Sequence, residues 1–570
     1  MFQRLMLVGL LGSICAMAQP RLRATDPVVN GASYAVGIAQ GSIFVVVGSN
    51  LSGANIVTAT RFPLETTMNG SSIRFTPVTG GAPIDAFMIY TTQHQVAGLL
   101  PSTAAAGDYN VTVTYSGQTT APARVPVLQR NVGVFTANSA GYGQAQALNR
   151  GELELNRPAA GQLAQFRTMP AAPGMRVDLY GTGVGPDAAS DSTGGSSGNQ
   201  AAANVRVRVG SREVAAAYAG RSQGVAGLDQ IVFILPNDVE TGCSVPAEVV
   251  YATGRSSNSF SLAIAGPGQQ NCTHPFLSQD ALKKVSEGGT LAIGAFNLAK
   301  QTIGITVPGI PIALEIGAEL IGGSFARYGV GEIGAVTDTQ PVSGQCIVVR
   351  RRGGQNDLLV PAGSAVGLDA GASLVLNGPN ANNIDVPRDA QTKSYEKTLA
   401  TTGLPGGGNP VITQGTYTLR GNGGPDVGAF SAQATLPQPL NWTNRTSINE
   451  VNRSQNLNVT WTGGGSDMVG VVGIAGSRVG GTEANPIYDA AVFICYGNAS
   501  AGSLTVPAAV LGRMPAVTGD IETGSLGLLG VQTTGPPTAG TFSAPLTAGG
   551  STDYAQFNYL IGTLKTLPYR

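Results

Sequence analysis

Met175, Val177 and Leu179 alternate with Arg176, Asp178 and Tyr180 in a run closed at both ends by glycine, Gly174 and Gly181. Period two over such a run predicts a half-buried strand with its apolar side inward. The same frame stands earlier, as Gly41-Ser42-Ile43-Phe44-Val45-Val46-Val47-Gly48-Ser49-Asn50-Leu51, and the echo continues downstream. Gln95-Val96 and Leu100-Pro101 match Gln230-Ile231 and Leu235-Pro236, while Val111, Val113 and Tyr115 match Ala247, Val249 and Tyr251. One β domain is therefore predicted to occur twice in tandem. The copies differ on one face. Ile43, Val45 and Val47 stand where Arg176, Asp178 and Tyr180 stand, so both faces of the first copy are apolar. Either β-branched propensity alone accounts for this or a neighbouring domain covers the outer face.

The first domain, 26–128, reads as strands at 43–47, 73–75, 87–90, 109–115 and 124–128. Asn110, Thr112 and Thr114 give the fourth strand one wet face, and Pro126, which cannot donate a ladder hydrogen bond, marks the last as an edge. The second domain, 129–266, opens with a bridging region, 131–173, in which 141–149 reads as one strand. Val205, Val207 and Val209 then alternate with Arg206 and Arg208, and 231–235, 247–251 and 260–264 complete the unit. Its loop 186–199 is rich in Gly, Ser and Asp and reads as a mobile surface loop. A linker, 267–290, holds the one helix-like stretch, 278–285, with Ser278 as its cap. The region 291–570 is again β-rich, with strands at 346–349, 373–376, 417–419, 457–462, 469–474, 492–496 and 556–560 between Gly, Asn and Pro turns. The predicted fold class is all-β: two tandem immunoglobulin-like sandwiches, then a larger sandwich or jelly-roll-like C-terminal region with room for two subdomains.

Composition agrees with that reading. Gly at 80 and Pro at 34 suit many tight turns, and 12% charged residues is about half the usual share. Long helices and disorder are both disfavoured, because 42% apolar residues can fill cores. Zero net charge gives no long-range field toward nucleic acid or an anionic membrane. Residues 1–18 read as a secretory signal: Arg4 supplies the positive start, 5–15 the apolar stretch and Ala16-Met17-Ala18 the cleavage site. The mature chain is then expected to begin at Gln19. Cys15 invites a lipoprotein reading, but Ile14 before it is larger than lipidation favours. The best later membrane candidate, 303–321, carries Pro308, Pro311, Glu315 and Glu319 and would not span a bilayer. The expected location is secreted, extracellular or at the outer cell surface, with the periplasm as the remaining option.

A resemblance adds to this. Gly41 to Leu51 resembles the opening strand and turn of IPT/TIG immunoglobulin-like domains. The run Asn30-Gly31-Ala32-Ser33-Tyr34, Gly143-Gln144-Ala145-Gln146-Ala147-Leu148-Asn149 and Leu179-Tyr180-Gly181-Thr182-Gly183-Val184-Gly185 is similar to a repeated secreted domain of Solibacter-type acidobacteria. The C-terminal motifs Asp426-Val427-Gly428-Ala429-Phe430 and Leu457-Asn458-Val459-Thr460-Trp461-Thr462 resemble a module that commonly follows it. The resemblance implies exported β proteins and no particular activity.

Candidate chemistry is sparse. The one G-x-S-x-G match, Gly194-Gly195-Ser196-Ser197-Gly198, lies in a Gly/Ser loop and not between strand and helix. His94 and His274, the only histidines, have no motif around them. Asp187 and Asp191 are weak candidates for a cation, being too few ligands for calcium. Arg350-Arg351-Arg352 reads as a charged turn guarding a strand edge, or as a contact for a polyanion. Trp442, in a polar loop, is the candidate platform for a sugar ring, whereas Trp461 alternates into the core. Catalytic residues, metals and cofactors are expected to be absent. The function expected is a non-catalytic structural or adhesion protein, with an extracellular protein or glycan as partner and no nucleic acid. The alternative is a carbohydrate-binding or polysaccharide-degrading protein. Four cysteines remain after the leader, and within-domain pairing, Cys243 with Cys272 and Cys346 with Cys495, is expected, because either other pairing would tie the second sandwich to the C-terminal region twice over.

Overall fold

The computed structural model describes the chain outside residues 1–18, 25, 152, 188–190, 195–203, 252–254, 306–313, 333–343, 345, 354–364, 404–407, 466, 482–485 and 521–523. The leader expected at 1–18, and Cys15 with it, lies outside the described residues. The fold is all-β, with 53% of residues in strands and 4% in helix.

The first module is a two-sheet sandwich. One sheet runs Arg21–Leu22, Ile43–Ser49, Gln95–Leu99, Phe87–Thr91, Val57–Thr58, with Val28–Asn30 also on Ile43–Ser49; the other runs Ile38–Ala39, Ala123–Leu128, Gly107–Tyr115, Ser71–Pro77, Ile84–Asp85. The segment before Ile43–Ser49 is thus divided between the sheets, Val28–Asn30 in the first and Ile38–Ala39 in the second. Pro126 ends the unpaired stretch of the last strand, and beyond it Val127 and Leu128 pair in parallel with Ile38 and Ala39, so that strand is not a free edge along its whole length. Phe44, Phe75 and Tyr109 meet edge to face inside, with Phe44 and Phe75 ring centroids 5.1 Å apart.

The second module repeats the plan in register. Val46 faces Val96 and Val47 faces Gln95 in the first copy; Leu179 faces Ile231 and Tyr180 faces Gln230 in the second. Its additions come from the bridging region, where only Ala147–Asn149 of the expected 141–149 strand is extended, and Glu154–Asn156, Gly161–Leu163 and Phe166–Met169 widen the same sheet. That widening changes the expected wet face. Asp178 is 1% exposed, flanked by two strands and forked by Arg176 at 2.7 Å from both oxygens.

The linker docks as a helix, Gln279–Ser286, capped by Ser278, whose Oγ accepts from Ala281 N. Its apolar side packs Ala281, Leu282 and Val285 against Ala159 and Ala263 of the second module and Leu291 and Ile293 of the next region. A second, one-turn helix, Ala508–Leu511, was not legible in the sequence.

The C-terminal body is a sandwich of an unusual plan. One nine-stranded sheet runs Cys346–Gly353, Pro486–Asn498, Met468–Gly481, Ser525–Thr534, Tyr554–Thr566, Leu291–Ile305, Leu314–Tyr328, Val366–Leu368, with Tyr395–Thr402 also on Leu314–Tyr328. A four-stranded sheet covers one half, around Phe296, Phe325, Tyr395, Tyr417 and Phe430. A three-stranded sheet covers the other, around Trp442, Trp461, Phe493 and Tyr569. The two halves therefore share a sheet. Arg350-Arg351-Arg352 lies within the edge strand Cys346–Gly353, paired with Ala491, Ala490 and Asp489, and not in a turn. The antiparallel pair Leu291–Ile305 and Leu314–Tyr328 holds 303–305 and 314–321 of the stretch weighed as a membrane candidate, and 306–313, with Pro308 and Pro311, lie outside the described residues. The pair's glycines hide the alternation: a Cβ on Gly323 would lie 2.2 Å from Ala295 O and 2.6 Å from Phe296 Cα, so the close approach needs glycine.

Disulfides join Cys243 to Cys272 and Cys346 to Cys495, the second between direct cross-strand neighbours. In the chain-entropy picture they contribute about 3.5 and 5 kcal/mol at most, the larger from the 149-residue separation. Replacing Cys346 and Cys495 together by Ala should raise hydrogen exchange across Pro486–Asn498 and Met468–Gly481 while Ile43–Ser49 keeps its protection, as read by mass spectrometry. Unchanged exchange in the C-terminal strands would contradict a stabilising role for this bond.

Candidate functional site

Buried polar side chains bond the modules together at two seams. At the first, the opening turn of module one meets module two. Gly41 takes φ +66°, and a Cβ there would lie 2.4 Å from an Arg221 nitrogen and 2.3 Å from Ser102 Oγ. This glycine is required twice over, by conformation and by contact. Arg221 donates to Gly41 O and to Asp229, and to Gly185 O at 3.3 Å. The Arg221 and Asp229 side chains are 2% and 1% exposed. Asp229 also accepts from Val184 N at 2.8 Å, so the charge is satisfied from both modules' backbones and from within the pair. Beside it, Ile43 N donates to Thr182 Oγ1, which donates to Gly227 O. Asn131, in the connection, donates to Gly37 O and accepts from Asn30 at its carbonyl.

The apolar outer face of Ile43–Ser49, the strand that repeats as Arg176–Thr182 and organises each module, is thereby explained. Ile43 and Leu99 pack against the Ala226-Gly227 turn of module two, and Val45 closes a small cluster with Val29 and Ala97. A neighbouring module covers one end and cross-strand partners fill the rest.

The loop expected to be a mobile surface loop is, where described, part of this seam. Asp187 and Asp191 are both buried. Asp191 accepts from Ser102 N and Ser102 Oγ, each at 2.7 Å, and Ser102 Oγ accepts from Asp187 N at 2.7 Å. Burial pushes the Asp191 carboxyl up, and the Ser102 bonds oppose it. With both Asp191 oxygens engaged by Ser102, these residues do not form the weak cation site considered from the sequence, and no cluster of three His, Cys, Asp or Glu suited to a metal occurs among the described residues. Of the G-x-S-x-G match only Gly194 is described; 195–198, with Ser196, lie outside the described residues.

Trp442 is not a platform. It is 7% exposed, pairs across strands with Trp461 and donates from Nε1 to Asn444 Oδ1 at 2.9 Å. The loop reading failed because Trp442 belongs to a two-residue strand, Asn441–Trp442, that lays the indole into the core around Val459 and Val469. His94 is exposed, whereas His274 is 8% exposed and accepts from Leu277 N at Nδ1, 3.1 Å. Burial pulls His274 down to about 4. Its ring meets Phe276 edge-on, and Phe276 stacks on Tyr554 of the C-terminal sheet.

The second seam joins module two to the C-terminal body. Glu248 is buried between Arg208 and Arg513, the latter at 2.7 Å, and Ser259 Oγ donates to Val348 O at 3.1 Å. A cleft of about 410 Å³ opens beside this pair. The alternation of Arg206 and Arg208 with valines gave the outward face of that strand, but no sequence signal joins Glu248 to Arg513, 265 residues away.

The chain matches no protein-family model and no curated protein. Among solved structures it is similar to a Bacteroides ovatus mixed-linkage glucan utilization locus SGBP-B in complex with a mixed-linkage heptasaccharide, at 12% identity over 67% of this chain and 68% of that one, TM-score 0.20. It is similar also to SGBP-B from a Bacteroides uniformis xyloglucan utilization locus, at 10% identity over 67% and 86%, TM-score 0.16. A third is the S-layer protein SbsC, domains 5–6, at 11% identity over 44% and 99%, TM-score 0.15. At these scores the likeness carries no argument about function.

Two outcomes follow from the seams. Arg221→Met leaves Asp229 buried without its partner and should cost about 3–5 kcal/mol in chemical denaturation, with Arg221→Met/Asp229→Leu recovering part of the loss. Equal losses in the single and double variants would contradict a buried, coupled pair. For His274 the folded pKa lies below the unfolded value, so the stability it supports is complete above about pH 6.5 and is lost as pH falls toward 4. The loss should reach about 3 kcal/mol near pH 4, and His274→Asn, which keeps an acceptor for Leu277 N, should flatten that slope in pH-dependent melting.

Proposed function

We propose that this chain is an exported, non-catalytic structural or adhesion protein whose β modules are held in a fixed arrangement to carry surface loops. The observation that carries the reading is the first seam. A flexible string of modules needs only a linker, but here Arg221, Asp229, Ser102, Asp191, Thr182 and Asn131 are spent on bonds at or beside one junction. Burying charges at a junction is worthwhile where relative orientation is what the protein must keep.

The disposition of acids supports the same reading. Asp178, Asp229, Glu248 and Glu319 are paired to arginine or lysine, while Asp191 and Asp467 are hydrogen-bonded to hydroxyls. A glycosidase pair needs two carboxyls facing a shared sugar, and these six are turned to neighbours within the fold. Two disulfides suit an oxidising compartment, in keeping with the signal read at 1–18 and with the resemblance to secreted acidobacterial proteins. No described helix is long and apolar enough to cross a membrane.

Small-angle scattering on the full chain should fit one rigid envelope, and Arg221→Met should broaden the distance distribution. A polysaccharide hydrolysis screen on the same protein should show no turnover. Turnover abolished by one carboxylate substitution would overturn the non-catalytic reading, and a wild-type envelope already as broad as the variant's would overturn the rigid one.

A further inference from the structure

The cleft at the second seam has a charge that the seam itself does not use up. Arg208, Arg453, Arg513 and Glu248 all line it, three guanidiniums against one carboxylate. Glu248 is shared between Arg208 and Arg513, and Arg208 has a further partner in Glu213 at 2.7 Å. Arg453 is different. Its backbone N donates to Arg570 O at 2.7 Å, which fixes its Cα, yet its Nε is shut off from solvent without a hydrogen-bond partner, and no described residue bonds its guanidinium. Arg157, Arg221 and Arg388 also leave Nε unbonded but bond their outer nitrogens within the fold. Those of Arg453 have no partner among the described residues, and its side chain, only partly buried, lines the cleft, so an oxyanion there can take them.

The remaining lining narrows the ligand. Ser256, Ser257 and Ser259 bring hydroxyls from module two, those of Ser257 and Ser259 as acceptors only because they already donate to Asn258 O and Val348 O, and Met514 and Pro515 bring apolar surface from the C-terminal body. No aromatic ring lines the cleft, so the usual stacking surface for a neutral sugar is missing. Its volume, about 410 Å³, suits a ligand of one or two sugar rings. We propose that this cleft binds a small, hydroxylated oxyanion of the uronic acid class, with its carboxylate on the Arg453 guanidinium and its hydroxyls toward the three serines. The proposal does not rest on the adhesion reading: it concerns one site, and it holds or fails whether or not the modules are rigid.

Calorimetric titration of the full chain separates the outcomes. With D-galacturonic acid, D-galactose and inorganic sulfate as probes, galacturonate should bind and galactose should bind at least tenfold more weakly. Arg453→Gln should weaken galacturonate at least tenfold, and Arg453→Lys, which keeps the charge but not the fork, should fall between. Should Arg453→Gln melt early, Ser256→Ala, at the rim, supplies the second reading and should weaken galacturonate more than sulfate. Sulfate binding that is equal to galacturonate and equally lost in Arg453→Gln would overturn the uronic acid class, since a site selected by charge alone has no use for the sugar hydroxyls. No binding of either anion at 10 mM (about 3 kcal/mol of affinity), equal binding of galactose, or binding indifferent to both Arg453 variants would overturn the proposal.

Discussion

The Arg221 guanidinium sits where the opening turn of the first module enters the second, and much of that junction is arranged around it. It cannot be moved without undoing three things together: the Gly41 carbonyl loses its donor, Asp229 loses its counter-charge and the Gly185 turn loses its anchor. Val184 N and two carbonyls bond the pair from outside it and offset the cost of its burial, with Arg221 Nε left unbonded. Such a network is intolerant of small rotations, since hydrogen bonds weaken steeply with angle. Orientation between the modules is therefore set by bond geometry, with apolar contact at Ile43, Leu99 and Ala226 excluding water around it.

The repeat explains why this junction arises where it does. Both copies place a glycine before the organising strand, but Gly174 meets Asn237 of its own module, while Gly41 meets Arg221 of the next. The same local device, a left-handed glycine that lets a polar group come close, is used once within a module and once between modules. The first copy's all-apolar strand follows from this, because an outward charge at Ile43 would have lain against the Ala226-Gly227 turn with no water to solvate it.

What the sequence made legible was periodic. The tandem repeat, its strand register, the Ser278 cap and the split of cysteines between module two and the C-terminal body all follow from spacing or local pattern. What it hid depended on contacts between distant segments. Asp178 looked solvated because one of the two strands beside it, Ala147–Asn149, comes from the insertion at 147–169; Asp187 and Asp191 looked like surface because Ser102, their partner, belongs to the other module. Trp442 looked exposed because a two-residue strand is too short to show a period. Glu248 and Arg513, like Arg453 in the cleft, carry no motif at all. A site built where separate modules meet leaves no local trace in either.

The C-terminal body extends the same logic to topology. Leu291–Ile305 pairs in parallel with Tyr554–Thr566, the last strand of the sheet, from Ile293 opposite Tyr554 to Gly304 opposite Lys565. That strand also pairs with Ser525–Thr534, so it is the one element joining the half built around Phe296 to the half built around Trp461. It fills the Phe296 core with Ala555, Phe557 and Tyr559 and runs on into Leu567 and Tyr569, which fill the Trp461 core, so both hydrophobic centres draw on one continuous segment. The bond from Cys346 to Cys495 lies at the opposite edge of the same sheet. The late strand closes the middle and the disulfide holds the far rim, so the sheet is fixed where antiparallel pairing alone would leave a long edge free to fray.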